Sequence, residues 1–350
     1  MEHRFLGEIC CPKQWKTIST SELTETGYPV YGANGIIGKY KEYNHEKATI
    51  LVTCRGATCG SVVISKPYSY VNGNAMALDN LDDDICIDYL YFYLIGRGFA
   101  DVISGSAQPQ IIRSTIEKIR IPLYNFEKQK QIASVFSTIN GMKLKFELLI
   151  EKYDQLVKAR FVEMFGDPVI NSMRWPEVLI GDNCFVTKLA GFEYTQYINY
   201  EDSGDVVMVK AQNVKNGKLN RKELSFISKK VSDSLPRSQL EPGDVVMTYV
   251  GANIGDVAVI DNEYKYHLAP NVAKIRPDAE VYDSIYFAYM LLFLNSYIVK
   301  NSADTAKAAL GMDRIRKLHV FVPPIDIQRK FSEFIKQIDK SKFRDFIPHK

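Results

Sequence analysis

An internal repeat limits what this chain can fold into before any single residue is weighed. Residues 50–64 read ILVTCRGATCGSVVI and residues 245–259 read VVMTYVGANIGDVAV. At a constant shift of 195 positions, Thr53 aligns with Thr248, Gly56-Ala57 with Gly251-Ala252, and Gly60 with Gly255. The match extends in both directions. Leu6-Gly7-Glu8-Ile9-Cys10 echoes Ile180-Gly181-Asp182-Asn183-Cys184, and Asp88 to Leu94 (DYLYFYL) echoes Asp283 to Tyr289 (DSIYFAY). Ile121-Pro122 and Val322-Pro323 each precede a charged helical stretch carrying Gln129-Lys130 or Gln328-Arg329. Four blocks in one order define two copies of one module, which suits a linear target read in two places.

At 350 residues the chain is too large for one ordinary core and fits two domains. With 46% hydrophobic and 24% charged residues it has the composition of a soluble globular protein rather than a disordered one. The first module is expected over residues 1–126 and the second over 167–325. Long helices are expected over 127–166 and 326–350, giving an α+β fold of two pseudo-repeated β-containing domains separated by helices. Ile50–Thr53 and Ser61–Ile64 read as strands around the glycine-rich turn, where Gly56 and Gly60 supply conformations a side chain would forbid.

From Glu127 the period changes. Ile132, Val135, Ile139, Met142, Phe146, Leu149, Tyr153 and Leu156 alternate at spacings of 3 and 4, a heptad seam. The helix should be about 58 Å long at 1.5 Å per residue. Gly166-Asp167-Pro168 ends it. Ile327, Phe331, Phe334 and Ile338 repeat the seam near the end of the chain, so the two helices are expected to pack as an antiparallel coiled coil. The apolar run Tyr286–Val299 is too short to cross a bilayer and reads as a buried helix. No signal peptide is evident at the start of the chain, and the six scattered cysteines suit free thiols in a reducing cytosol.

Motifs for chemistry are missing. There is no GxxxxGK[ST] loop, no GxSxG elbow and no HExxH helix. The five histidines (His3, His45, His267, His319, His349) have no carboxylate at a useful spacing, and no metal site is expected. A methyltransferase-type Asn/Asp-Pro-Pro-aromatic motif and a nuclease-like acidic pair are also absent. The chain reads as a binder rather than an enzyme.

The net charge of +3 does not imply nucleic acid by itself. Its distribution says more: Lys210, Lys215, Lys218, Arg221, Lys222, Lys229 and Lys230 crowd one stretch with a single acid, Glu223. The plain alternative is a solvated surface. Residue types suited to base edges and phosphates occur in both modules. In the first they are Asn34, Lys39, Arg55, Asn72, Asn74, Gln108, Gln110 and Arg113. In the second they are Lys210, Gln212, Asn213, Lys215, Tyr249, Asn253, Asn271 and Lys307. Arg55 stands out because the second copy carries Val250 there, and a base reader should differ between copies where a structural residue should not. The second module is also longer: Gly7 to Gly56 is 49 positions and Gly181 to Gly251 is 70, and the extra 21 residues fall across the basic stretch.

Two diverged modules separated by long helices resemble the specificity (S) subunit of type I restriction-modification systems, over essentially the whole chain. The matching segments are Thr53–Gly60 and Thr248–Gly255, Gln129-Lys130-Gln131-Ile132 and Gln328-Arg329-Lys330-Phe331, and Phe165-Gly166-Asp167-Pro168. Each is short; their order and duplication carry the likeness. The resemblance implies that each module is a target-recognition domain for one half of a split site in double-stranded DNA. The helices would set the gap and dock two methyltransferase (M) subunits. S-adenosylmethionine would then belong to those subunits, which flip the target adenine, while a restriction (R) subunit would use ATP and Mg. No cofactor, membrane contact or catalysis is expected of this chain, whose setting would be cytoplasmic. The family's second helix usually rivals the first. Here the pattern changes at Lys342-Phe343-Arg344-Asp345, so a reduced docking surface for one M subunit is expected.

Two other readings compete. One is a specificity protein serving an orphan methyltransferase or another defence complex. The other is a protein-interaction scaffold, which would bind partners without DNA and show no salt-sensitive binding to duplex.

Overall fold

The computed structural model describes residues 2–33, 35–105, 108–302 and 309–346, which form two compact units, Met1–Glu147 and Leu148–Lys350. In the first unit, β1 (Glu2–Phe5) leads into the single-turn helix α1 (Leu6–Ile9) and β2 (Cys11–Gln14). A hairpin of β3 (Tyr28–Gly32) and β4 (Gly35–Tyr40) follows, then β5 (Ile50–Thr53), β6 (Val62–Ile64), β7 (Tyr70–Val71) and β8 (Ala75–Asp79). Helix α2 (Ile87–Arg97), the turn α3 (Arg113–Ile116) and β9 (Arg120–Leu123) close the module, and α4 (Phe126–Phe165) leaves it. The central sheet has the order β2-β8-β5-β6 and is antiparallel throughout; β3 pairs in parallel with β7, and β1 pairs with β9.

All four residues of β5 are buried, which explains its unbroken apolar run. Alternate side chains point to opposite faces of a sheet. Ile50 and Val52 join Leu6, Leu90, Leu94 and Ile121 in one core, while Leu51 joins Tyr31, Val71 and Ala77 in another. A strand covered on both faces needs apolar residues at every position.

The second unit repeats this plan. It runs β10 (Glu177–Leu179), α5 (Ile180–Asn183), β11 (Cys184–Lys188), α6 (Gly191–Tyr197), β12 (Val206–Val209), β13 (Val214–Lys215) and β14 (Lys218–Leu219). Next come β15 (Phe226–Ile227), α7 (Lys229–Ser234), β16 (Gln239–Leu240), β17 (Val245–Thr248), β18 (Val257–Val259), β19 (Lys265–Leu268) and β20 (Val272–Pro277). Helix α8 (Ser284–Ser302), α9 (Met312–Arg316), β21 (His319–Phe321) and α10 (Ile325–Phe346) complete it. The order β11-β20-β17-β18 reproduces β2-β8-β5-β6, β10-β21 reproduces β1-β9, and the parallel pair β12-β19 reproduces β3-β7. The shared Gly7 and Gly181 also have one cause. A Cβ on Gly7 would stand 2.9 Å from Glu117 Cβ, and one on Gly181 would stand 3.1 Å from Arg316 Cβ, where the module's closing turn crosses its opening helix.

Both modules are anchored to the helix that follows them by a buried glutamine. Gln129 Nε2 donates to the carbonyls of Asp84 and Tyr124 while its Oε1 accepts from Cys86 N. Gln328 does the same with Val281, Pro323 and Asp283 N. The repeated Gln-Lys/Arg of the sequence is therefore a joint between module and helix.

Within the second unit, α10 packs against the last part of α4. Phe331 meets Phe165 and Phe161 at 5.6 and 5.4 Å between ring centroids, and the Arg160 guanidinium lies 5.9 Å from the ring of Phe334. Asp339, further along α10, and Asp154, further back on α4, both act on the Tyr289 hydroxyl. The two helices therefore run antiparallel, as the seam predicts. The buried line differs from the heptad reading. It passes through Val157, Phe161 and Phe165, one residue beyond Leu156, which is 47% exposed. A spacing of four, close to the natural 3.6-residue turn, replaces the strict heptad. On α10 Phe331, Ile335 and Ile338 are buried, Phe334 only partly. Earlier on α4, Ile132 packs against the first module's core. Val135, Ile139 and Met142 are more than half exposed, and Phe146, Leu149 and Tyr153 are intermediate.

No helix among the described residues is long and apolar enough to cross a membrane. All six cysteines are free thiols, and burial pushes the Cys10 and Cys184 thiols up to about 12, where they stay protonated.

Candidate nucleic-acid interface

At the end of β5 the repeated turn is tied down by neighbouring segments. Thr53 and Gly60 close it through Gly60 N to Thr53 O at 2.8 Å, and Gly56 and Gly60 hold φ values of +87° and +90° that favour glycine. Cys54 N donates to Asn74 O, Ile111 N donates to Cys54 O, and Gly56 N donates to Pro109 O. Thr53 Oγ1 and Thr58 Oγ1 both donate to Ala33 O, at 2.7 and 3.2 Å, fastening the β3–β4 turn to the same edge. Residues remote in sequence therefore converge. Arg55 bridges Gln110 through the backbone, and Arg55, Asn74, Gln108 and Gln110 all present exposed side chains there. Asn34 lies outside the described residues.

The second unit repeats three of the backbone bonds, although Thr248 Oγ1, unlike Thr53 Oγ1, has no hydrogen-bond partner among the described residues. Gly255 N donates to Thr248 O, Tyr249 N to Asn271 O, and Leu310 N to Tyr249 O. Val250 bridges Ala309 as Arg55 bridges Gln110. The two copies thus share backbone geometry and differ in the side chains at this bridge: exposed Arg55 and Gln110 in one, half-buried Val250 and Ala309 in the other. Asn253 and Asn271 are exposed at this edge. The half-buried Tyr249 ring carries the Lys188 ammonium 5.4 Å from its centroid. Lys188 escaped the sequence reading because only the pairing of β11 with β20 brings it near the turn. Lys307 lies outside the described residues.

Other candidates stand elsewhere. Asn72 is 4% exposed; its Nδ2 donates to Ile18 O and its Oδ1 accepts from Gly73 N. Asn213 is 2% exposed, and its amide holds the carbonyls of Asn220 and Lys222 and the N–H of Lys210. Both side chains are consumed in building loops, so they are framework rather than readers. Arg113 pairs with Glu117 at 2.6 Å. Lys39 is exposed on β4, and Gln212 is exposed and reaches Glu223 O at 3.4 Å.

Three of the seven cations of the basic stretch pair with acids, and a fourth bonds a hydroxyl. Lys210 Nζ donates to Ser225 Oγ at 2.9 Å, Lys218 pairs with Asp339, Arg221 with Asp261 and Glu263, and Lys229 with Asp233. Lys215, Lys222 and Lys230 remain exposed. The acids lie far away in sequence or just outside the stretch, so a one-dimensional charge count overstated its free positive charge.

The fold also corrects the expectation that no histidine has a useful carboxylate. His45 Nε2 lies 2.8 Å from Asp79 Oδ1, and His319 Nδ1 lies 2.7 Å from Glu177. His45 is 8% exposed and its Nδ1 faces Asn44 Oδ1 at 2.6 Å. Both ring nitrogens face oxygen partners within the module, so the ring is held as a structural contact. Trp15 Nε1 donates to the other Asp79 oxygen at 3.0 Å, so the group clamps the module together. Among the described residues no three His, Cys, Asp or Glu side chains are grouped to hold a metal ion.

Two copies of one sheet-and-helix module, each opening on the same one-turn helix and closing on a glutamine-anchored helix, define a class of duplicated recognition protein. The chain belongs to the type I restriction modification DNA specificity domain family, whose model matches residues 1–151 and again residues 175–344. The type I restriction enzyme MjaVIII specificity subunit of Methanocaldococcus jannaschii is 23% identical over 92% of this chain and 81% of its own length. The EcoprrI specificity subunit of Escherichia coli is 28% identical over 40% of this chain and 36% of its own length. Among solved structures, the type I restriction-modification S subunit from M. genitalium superposes with a TM-score of 0.67 at 16% identity, covering 98% of this chain and 90% of that one. A chain from a study of the assembly and conformational transition of the type I system gives 0.53 at 15% identity, over 98% and 92%. These structural likenesses concern the fold.

Proposed function

We propose that this chain is the DNA-recognition subunit of a type I restriction-modification complex, each module reading one half of a bipartite duplex site. The observation that carries this is the pattern of sameness and difference at the repeated turn. Backbone bonds recur in both copies while the bridged pair changes from Arg55 and Gln110 to Val250 and Ala309, as expected where a shared scaffold reads different bases; the equivalent Asn74 and Asn271 are the same in both. Arg55, Asn74, Gln108 and Gln110 are the readers proposed for the first module, and Tyr249, Asn253, Asn271 and Lys188 for the second. Helices α4 and α10 would set the gap between half-sites and dock two methyltransferase subunits, with restriction subunits joining the complex. S-adenosylmethionine, ATP and Mg would belong to those partners, which carry the catalysis, and the setting would be cytoplasmic.

Methylation mapping tests this. The chain would be co-expressed with its methyltransferase partner in a methylation-free host, and modified adenines would be located by sequencing. Two short defined blocks around an unspecified gap are expected. A single contiguous motif, or no new methylation with both proteins present, would refute the reading.

A further inference from the structure

The residues added in the second copy form a distinct substructure. β13 and β14 are joined by Asn216 and Gly217, both left-handed (φ of 52° and 80°), the two-residue turn that matches strand twist. The tip is sewn to the edge strand β18: Gly217 N donates to Val257 O at 2.9 Å and Val259 N donates to Gly217 O at 3.2 Å. It also presses on α8, where a Cβ on Gly217 would stand 3.4 Å from the Tyr289 ring. From the same turn Lys218 reaches Asp339 on α10. A cleft of about 350 Å³ separates Lys215 and Asn216 of the hairpin from Ile150 and Val157 of α4 and Leu292 of α8. One short hairpin therefore touches the edge of the recognition sheet and stands against all three long helices of its unit.

We infer that this hairpin is a brace that fixes the second recognition module against the helix pair, with Lys218 and Asp339 as its latch. Lys218 is then a positioning residue for the distance between half-sites, rather than a phosphate contact. The inference rests on the bipartite reading above for its link to spacing, though not for the brace itself. A partly exposed ion pair is weak alone. It matters here because backbone bonds and the Tyr289 contact have already placed the hairpin, so the latch chooses among orientations instead of creating the contact.

The test uses Lys218→Glu, Asp339→Lys and the charge-swapped double variant in the full chain with its methyltransferase partner. The first readout needs no DNA. Amide exchange at Gly217 and Val259 should quicken in both single variants and return toward native in the double. Unchanged exchange in the single variants would overturn the brace. The second readout is binding to duplexes carrying both half-sites at the native gap or one base pair longer or shorter. The preference for the native gap should fall by about fivefold in each single variant and recover in the double. Affinity for the second half-site alone should stay within about twofold, with its salt slope unchanged. A salt slope smaller by about one, with gap preference intact, would make Lys218 a phosphate contact and overturn the inference. If the native complex selects no split site, the bipartite reading fails and the spacing role falls with it, while amide exchange still decides the brace.

Discussion

Replacing Gln129 or Gln328 by methionine removes hydrogen bonding at nearly constant volume, so the loss isolates the joint between module and helix. Each side chain makes three hydrogen bonds, all to backbone groups that no substitution elsewhere can retire. For Gln129 they are 3.0 Å to Asp84 O, 2.9 Å to Tyr124 O and 2.9 Å from Cys86 N. For Gln328 they are 3.0 Å to Val281 O, 2.7 Å to Pro323 O and 2.9 Å from Asp283 N. A buried group left without its partner costs roughly 1–3 kcal/mol. Asp84 and Tyr124 lie at the surface, where water replaces part of what is lost, whereas Pro323 is buried. The expected destabilisation is thus about 3 kcal/mol for Gln129→Met and about 4 kcal/mol for Gln328→Met. The chain offers a convenient assay because its two tryptophans, Trp15 and Trp175, lie one in each unit. Denaturant titration in Trp15→Phe and Trp175→Phe backgrounds follows the units separately. Gln129→Met should shift the Trp15 transition and Gln328→Met the Trp175 transition. A shift below about 1 kcal/mol at either site, or equal shifts of both probes from one substitution, would refute the reasoning.

Other consequences are equally direct. Arg55→Ala should change the bases accepted in one half-site and leave the other intact, read by methylation mapping; equal weakening of both would make Arg55 a non-reader. Phe331→Ala removes a fully buried ring packed against Phe161, Phe165 and Tyr289. It should cost the second unit about 4 kcal/mol and lower its melting midpoint by roughly 10 °C in calorimetry, and a loss confined to the first unit would contradict the packing described. His267 is fully buried, its Nδ1 donates to Leu268 O, and burial holds its pKa below the ordinary 6.5. The unfolded chain therefore binds the extra proton first, so stability is complete above about pH 6.5 and declines as pH falls toward the folded pKa. Denaturation at about pH 7.5 and about pH 5.5 should show a smaller decline in His267→Asn than in the native chain; an equal decline would assign the acid sensitivity to other groups.

Much of the architecture was legible in one dimension because periodicity and repetition are local or self-referential. The repeat, its landmarks and the two long helices require only that similar segments adopt similar structures. Ile50–Thr53 read as a strand from its apolar run, while the burial of that strand and of Val245–Thr248 at every position emerged from the fold. The alignment of Gly7 with Gly181 was visible in the sequence, whereas the close crossing that requires both was not. The family likeness followed from the order of these signals.

What the sequence could not decide was the fate of individual polar side chains, since that depends on neighbours brought together only by folding. Asn72 and Asn74 stand two residues apart, yet one is buried in a loop framework and the other is exposed. Gln110 corresponds to Ala309 through strand bridging, at a spacing that a constant shift of 195 misses. Lys218 looked like one of a row of free cations until α10 brought Asp339 to it. Leu156 fitted the heptad, but accumulated helical twist placed Val157 in the core instead. Hydrophobic pattern is set by the period of the chain itself, which the sequence carries. The pairing of charges and amides is set by contacts between distant segments, which exist only in the tertiary structure.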